Sequence, residues 1–421
     1  MRTLFSAENQ QWLVNSPKKS LFLYFELQAP KFESQQKRAP LNISLVIDRS
    51  GSMDGDKLAY SKKALDFVID NLTSDDCLSI VQYDNLIEVV SPSQKIQDKQ
   101  KLHSLVKGIQ ARGMTNLSGG MQEGYKQVRT TQNKSFVNRV LLLSDGLANE
   151  GVTDNEQLQK IAQTRFRNDG IALSTFGVGA DFNEVLMTNL SEYGSGNYYF
   201  IEKPDDIPAI FAKELTGLLS VVSQNTHLDI QFPERYVKFV KSYGYPVHTT
   251  GDKIHINFND VFSEEKKGVL LKFEVVTPFE SAIDFSATLA FDDVVSTFSH
   301  QTNTYKLSIS PTTDTESFRN TIQHSILEQV ALFEANDMFE EAMRQVDQRN
   351  FDKAKEIIAQ IKLYLDTHFQ LMPPSEELKR QYETITNYQI QVDEMGEMSN
   401  DDFMMSQKMS RSANYALKKK K

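Results

Sequence analysis

Two hydrophobic rhythms take turns along the middle of the chain. Short, nearly unbroken apolar runs end at Asp48 and fill 78–83, 139–144, 172–178 and 198–201. Their length suits strands covered on both faces. Between them, over 57–72, 99–109, 117–130, 155–167, 183–192 and 207–219, apolar residues return every three or four positions, as on one face of a helix. This alternation predicts right-handed crossovers and a mostly parallel sheet with helices on both sides.

The pattern changes on either side of that unit. Leu21, Leu23, Phe25 and Leu27 alternate with other residues, which predicts a strand with one buried face. After Val221 the helical period stops. Alternating segments at 228–232, 236–240, 254–258, 269–276, 283–291 and 304–309, separated by turn-prone breaks, predict an antiparallel sandwich. The strand before residue 30 cannot bury its face alone, so it is assigned to that sandwich, and the α/β unit becomes an insertion. Beyond Pro311, Ile322, Ile326, Val330 and Phe333 recur at helical spacing, as do Ala354, Ile357, Ile358, Ile361 and Leu365. A third helix follows Met372-Pro373-Pro374-Ser375, giving a small bundle.

From Asp393 the chain is acidic and rich in methionine and ends in four lysines, a pattern that reads as a flexible tail. Met395, Met398, Met404, Met405 and Met409 would offer it an adaptable docking stripe. The expected organisation is therefore an N-terminal strand segment (1–40), an α/β domain (41–220), a β-sandwich (221–310), a helical domain (311–392) and a tail (393–421).

Composition excludes several function classes. With 421 residues and a net charge of -10, the chain carries no basic stripe suited to nucleic acid. No apolar stretch reaches the length of a membrane span, and the first residues lack a signal-peptide core, so a cytoplasmic address is expected. Cys77 has no partner for an internal disulfide and reads as a small buried residue. The seven histidines form no ligand cluster, Ser144 lacks a nucleophile elbow, and no Walker-type sequence occurs. No enzymatic activity is expected.

The distinctive chemistry sits in three loops. Asp48-Arg49-Ser50-Gly51-Ser52 spaces one carboxylate and two hydroxyls two residues apart at the end of a buried strand. Alternate residues of an extended loop can face one way, and oxygen-only ligands suit Mg²⁺, Ca²⁺ or Mn²⁺ rather than Zn²⁺ or copper. On their own these residues serve equally well as a polar turn. Arg112-Gly113-Met114-Thr115-Asn116 adds a threonine hydroxyl before a helix, and Ser144-Asp145-Gly146 adds an aspartate after a second buried strand. Together, in this order, the segments resemble the von Willebrand factor type A (VWA) domain and its metal-ion-dependent adhesion site, over roughly 41–219.

That resemblance implies a doubly wound, Rossmann-like α/β fold, here inserted in an antiparallel β-sandwich and followed by a helical bundle. It implies that Ser50 and Ser52 ligate a metal through their hydroxyls, and that Thr115 binds directly or through water. Asp48 and Asp145 would hold coordinated waters and accept hydrogen bonds from the hydroxyls. The ion expected is Mg²⁺, with Ca²⁺ or Mn²⁺ as alternatives. The implied function is protein binding, through an Asp or Glu carboxylate of a partner captured among the loops around Gly51, Met53, Gly113, Asn116 and Gly146. The alternative is a regulatory or scaffold subunit beside an ATPase, kinase or phosphatase in a bacterial stress or defence assembly.

Overall fold

The computed structural model describes every residue except 15–17, 33–37, 134, 259, 297, 298, 397 and 419–421. Its α/β part is built round the strand Leu41–Asp48, every residue of which is buried. This strand pairs in parallel with Cys77–Tyr83 on one side and Val137–Ser144 on the other. Ala172–Val178 and Ser195–Ile201 extend the sheet in parallel. Ile87–Lys95 closes the opposite edge antiparallel. Its Ser91-Pro92-Ser93-Gln94 run is typical of an edge, where no second neighbour demands a donor.

Alternate side chains of the central strand enter two cores. Leu41, Ile43, Leu45 and Ile47 pack with Leu65 and Val68 of the helix Asp56–Asn71 and with Phe211 and Leu215 of Ile207–Leu219. Val46 faces the other way, toward Met121, Leu158 and Leu190 of the helices Leu117–Thr130, Asn155–Asp169 and Glu184–Tyr193. The helix Leu117–Thr130 lies unusually close to the sheet because two glycines one turn apart face it. A Cβ on Gly124 would come within 2.5 Å of Val46, and one on Gly120 within 2.5 Å of Tyr83. This seating fixes the 112–116 loop above the carboxyl ends of the strands, where ligand sites of such sheets lie.

The sandwich has two antiparallel layers. Arg2–Ala7, Ser20–Gln28, Lys266–Val275 and Val237–Tyr243 form one, in that spatial order. Val247–Thr250, Lys253–Asn257, Val221–Gln231, Ile283–Asp293 and His300–Thr312 form the other, with Gln11–Leu13 added in parallel at its edge. Leu23, Phe25, Leu228, Ile256, Phe273 and Phe285 are among the side chains that fill the space between. The chain leaves this layer structure after Ser20–Gln28 and returns directly from Ile207–Leu219 into Val221–Gln231. A buried ion pair ties the two parts together: Arg139 of the parallel sheet reaches Asp260 of the sandwich at 2.5 Å.

Four long helices follow: His324–Asp347, Phe351–Leu371, Glu376–Glu394 and Asn400–Lys418. Phe333 and Val330 of the first rest on Phe22, Tyr24 and Leu270, the outer face of the four-stranded layer. Ile322, counted with that helix from its spacing, instead forms a bridge with Asn9.

The stretch beyond 393, expected to be a flexible tail, is the largest departure from the sequence reading. Asn400–Lys418 is a helix whose Phe403 joins the bundle core and whose Tyr415 packs against Tyr198 of the α/β sheet. Lys408 is buried, donates to the Phe182 carbonyl at 2.6 Å and lies over the Phe182 ring. Arg411 pairs with both Glu184 and Asp347. The composition of the segment suggests solvation, but helical spacing brings Phe403, Gln407 and Asn414 onto one buried face. The methionine stripe divides accordingly, with Met395 buried in the bundle and Met404 and Met409 exposed. Among the described residues no helix is long and apolar enough to cross a membrane.

Candidate functional site

Three loops meet at the carboxyl end of the parallel sheet. The first follows Leu41–Asp48 and tightens into a 3₁₀ turn at Gly51–Met53. Its Gly51 N–H donates to the Gly113 carbonyl of the second loop at 3.1 Å, and the Arg112 N–H donates back to the Arg49 carbonyl at 2.7 Å. The second loop is tied to the third through the Thr115 carbonyl, which accepts from the N–H groups of Asn149 and Glu150. The Asn149 side chain in turn accepts the Thr115 N–H at 2.9 Å.

These ties bring the sequence-selected oxygens together. The Ser50 and Ser52 hydroxyls are 3.1 Å apart, and the Ser52 hydroxyl donates to Asp145 at 2.8 Å. Thr115 joins them across Gly146: a Cβ built on that glycine would lie 3.3 Å from the threonine Oγ1 and 3.8 Å from the Ser52 Oγ. Asp48 sits directly beneath, its Oδ1 accepting the Ser50 N–H at 2.8 Å and its Oδ2 the Ser144 hydroxyl at 2.7 Å. Asp48, Ser50, Thr115 and Asp145 are buried, whereas Ser52 and Gly51 are exposed. Burial, only partly offset by the Ser50 N–H and the Ser144 hydroxyl, pushes the Asp48 carboxyl up to about 6, and the nearby Asp145 adds to the rise. Two buried carboxylates beside three hydroxyls form a hard-oxygen pocket that favours positive charge. The residues present fit a divalent cation.

Not every residue of the expected partner-binding loops faces outward. Met53 is fully buried in the core beneath its loop. Asn116 is occupied as the N-cap of Leu117–Thr130, its side chain accepting from Gly119 at 2.9 Å. The exposed large apolar side chains on these loops are instead Met114 and Leu147, neighbours in sequence of Thr115 and Gly146.

Sequence reasoning missed several supporting groups. Ser144 was considered only as a nucleophile, yet its hydroxyl holds Asp48. Arg49, inside the first loop, lies 2.9 Å from Asp84 and 3.0 Å from Glu88, pairing by charge rather than by aligned hydrogen bonds. Arg112 donates to the same two carboxylates at 2.8 and 2.7 Å. Burial opposes ionisation of Asp84, but the Leu86 N–H and the two arginines outweigh it and hold its carboxyl below the usual range. This quartet locks the first loop to the second. Lys57, in the first turn of the helix Asp56–Asn71, places its ammonium 2.6 Å from Asp145. Nothing in the spacing of these residues announces the contacts, which depend on how the loops cross.

The family described as von Willebrand factor type A domain matches residues 42–213, the same strands, helices and loops. This segment is a VWA domain. The Escherichia coli protein YfbK is 29% identical over 206 residues, which cover 48% of this chain and 36% of YfbK. The chain thus spans about a third of the length of that relative. Among solved structures, a von Willebrand factor type A protein from Catenulispora acidiphila superposes with a TM-score of 0.69 at 16% identity, covering 90% of this chain and 88% of that one. The ArnB paralog VWA2 from Sulfolobus acidocaldarius gives 0.64 at 15% identity and covers 98% of both chains. The latter likeness extends the shared fold beyond the VWA domain to the sandwich and helices. VWA domains generally mediate metal-dependent protein–protein contacts.

Proposed function

We propose that this protein is a metal-dependent protein-binding module whose VWA domain grips a partner carboxylate. The observation that carries the reading is the convergence of the Ser50, Ser52 and Asp145 oxygens, 2.8 to 3.1 Å apart, beside Thr115 and above Asp48. Ser50, Ser52 and Thr115 would hold the ion through hydroxyls, and Asp48 and Asp145 would hold its waters. Mg²⁺ is the ion favoured by an all-oxygen set with neutral donors, with Mn²⁺ or Ca²⁺ as substitutes. Such an ion supplies an electrophilic position for an outside Asp or Glu side chain. The chain's own contribution is to hold the hydroxyls in place, through the Arg49–Asp84–Arg112–Glu88 quartet and Ser144, and to present Met114 and Leu147 beside the opening. A partner carboxylate flanked by an apolar side chain suits that rim.

Titrating the purified protein with Mn²⁺, followed by electron spin resonance, should reveal one bound ion, and Ser50→Ala with Ser52→Ala should weaken it by about tenfold or more. Capture of a cellular partner on immobilised protein should occur in Mg²⁺, vanish in EDTA and vanish with an Asp145→Ala bait. Undiminished capture in EDTA would exclude this reading and leave a metal-independent scaffold.

A further inference from the structure

Among the described residues, Asp145 rather than Asp48 is the carboxylate of the site in contact with a cation of the chain itself. Its Oδ1 takes the Ser52 hydroxyl and its Oδ2 takes the Lys57 ammonium, at 2.8 and 2.6 Å. Asp145 is wholly buried, while the Lys57 side chain is a quarter exposed and reaches the site from the first turn of Asp56–Asn71. The loop after Ala172–Val178 walls it from the far side, since a Cβ on Gly179 would lie 3.9 Å from the Lys57 Nζ. The ammonium is therefore seated between a buried carboxylate and the backbone of that loop.

Charge counting gives this contact a consequence. The candidate ligands comprise two carboxylates, Asp48 and Asp145, and three neutral hydroxyls. A divalent ion among them would be neutralised if nothing else were present. With Lys57 included, the same assembly keeps one net positive charge in a poorly solvated pocket, where charges act more strongly than in water.

We propose that Lys57 is a resident counter-charge that weakens the grip on the metal and strengthens the pull of the loaded site on an outside carboxylate. This inference rests on the metal-dependent reading above and deepens it. By pairing with one oxygen of Asp145, Lys57 prevents a second carboxylate from approaching the ion closely. The ion's charge is then left for the partner rather than spent on the protein. Lys57 thereby sets how much metal the site requires and how strongly an acidic partner is held.

The test uses the full chain and Mn²⁺ alone as first probe, comparing the native protein with Lys57→Met, Lys57→Gln and Lys57→Arg. Met and Gln remove the charge and differ in polarity, while Arg retains the charge on a different head. Thermal melts establish that each variant is folded. The expected result is a Mn²⁺ dissociation constant lowered by about tenfold in the Met and Gln variants and near native in the Arg variant. With the site saturated in Mn²⁺, acetate should bind several-fold more weakly to the neutral variants. A role of Lys57 in packing alone would not reverse with Arg. Native protein that takes up no Mn²⁺ would overturn the metal-dependent reading itself. Native protein that binds Mn²⁺ with the same constant as the neutral variants would overturn the counter-charge proposal alone.

Discussion

Arg139 and Asp260 face each other at 2.5 Å with almost none of either side chain in water. Burial raises the Asp260 carboxyl, and the adjacent guanidinium is the main force opposing that rise. Removing the arginine would strand a buried acid between the VWA domain and the sandwich. Arg139→Met should cost about 3–5 kcal/mol in urea unfolding, and adding Asp260→Leu should recover much of it. The two residues lie far apart in sequence, and Arg139 reads as an odd charge in an apolar strand. Only the juxtaposition of two domains explains it. Lys57, Ser144 and the Arg49 quartet are equally unreadable for a different reason, since their contacts depend on how loops of one domain cross. By contrast alternate spacing marks Asp48, Ser50 and Ser52 in the sequence as an oxygen-rich turn after a strand, and the resemblance to VWA domains adds Thr115 and Asp145 to them.

Among the helices, Leu117–Thr130 depends on an absent side chain. Gly124 sits against Val46 and Val140, where a methyl group would come within 2.5 and 3.0 Å. Gly124→Ala gains helix propensity, yet overpacking against a two-sided core should prevail, lowering stability by about 1–3 kcal/mol in chemical denaturation. Because the displaced helix carries the Thr115 loop at its start, Mn²⁺ affinity should fall in the same variant. Legibility varies among elements for a physical reason. Central strands and amphipathic helices announce themselves through burial of a whole side or face, so 41–48, 139–144 and 172–178 were readable. Ile87–Lys95, Arg2–Ala7 and Gln11–Leu13 lie at sheet edges, where polar residues are tolerated and alternation blurs. Asn400–Lys418 was missed because composition, not period, dominated its reading.

At the level of the whole molecule, that last helix links the bundle to the VWA domain through Lys408, Arg411 and Tyr415. Glu184 is at the centre of the junction. Burial pushes its carboxyl from 4.5 up to about 7, with Arg411 and Lys408 pulling the other way. Between those values the folded protein holds a proton that the unfolded chain has released, so the stability contributed by protonated Glu184 is complete below 4.5 and lost as pH rises through about 7. Thermal melts across that interval should show a declining trend that Glu184→Gln flattens.

The interrupted sandwich also dictates an order of assembly. Phe25 meets Val269 in the four-stranded layer, although the entire VWA domain lies between them in the chain. Closing so long a loop in a disordered chain is entropically costly, whereas the strand–helix units of the insert make mostly shorter-range contacts. Once folded, the insert brings its entry and exit together and shortens the effective loop. Refolding should therefore proceed insert first, sandwich second. The single tryptophan, Trp12, lies on the late-forming sandwich edge and packs against its core. Its fluorescence should lag behind the recovery of helical circular dichroism, and Gly124→Ala should delay both signals.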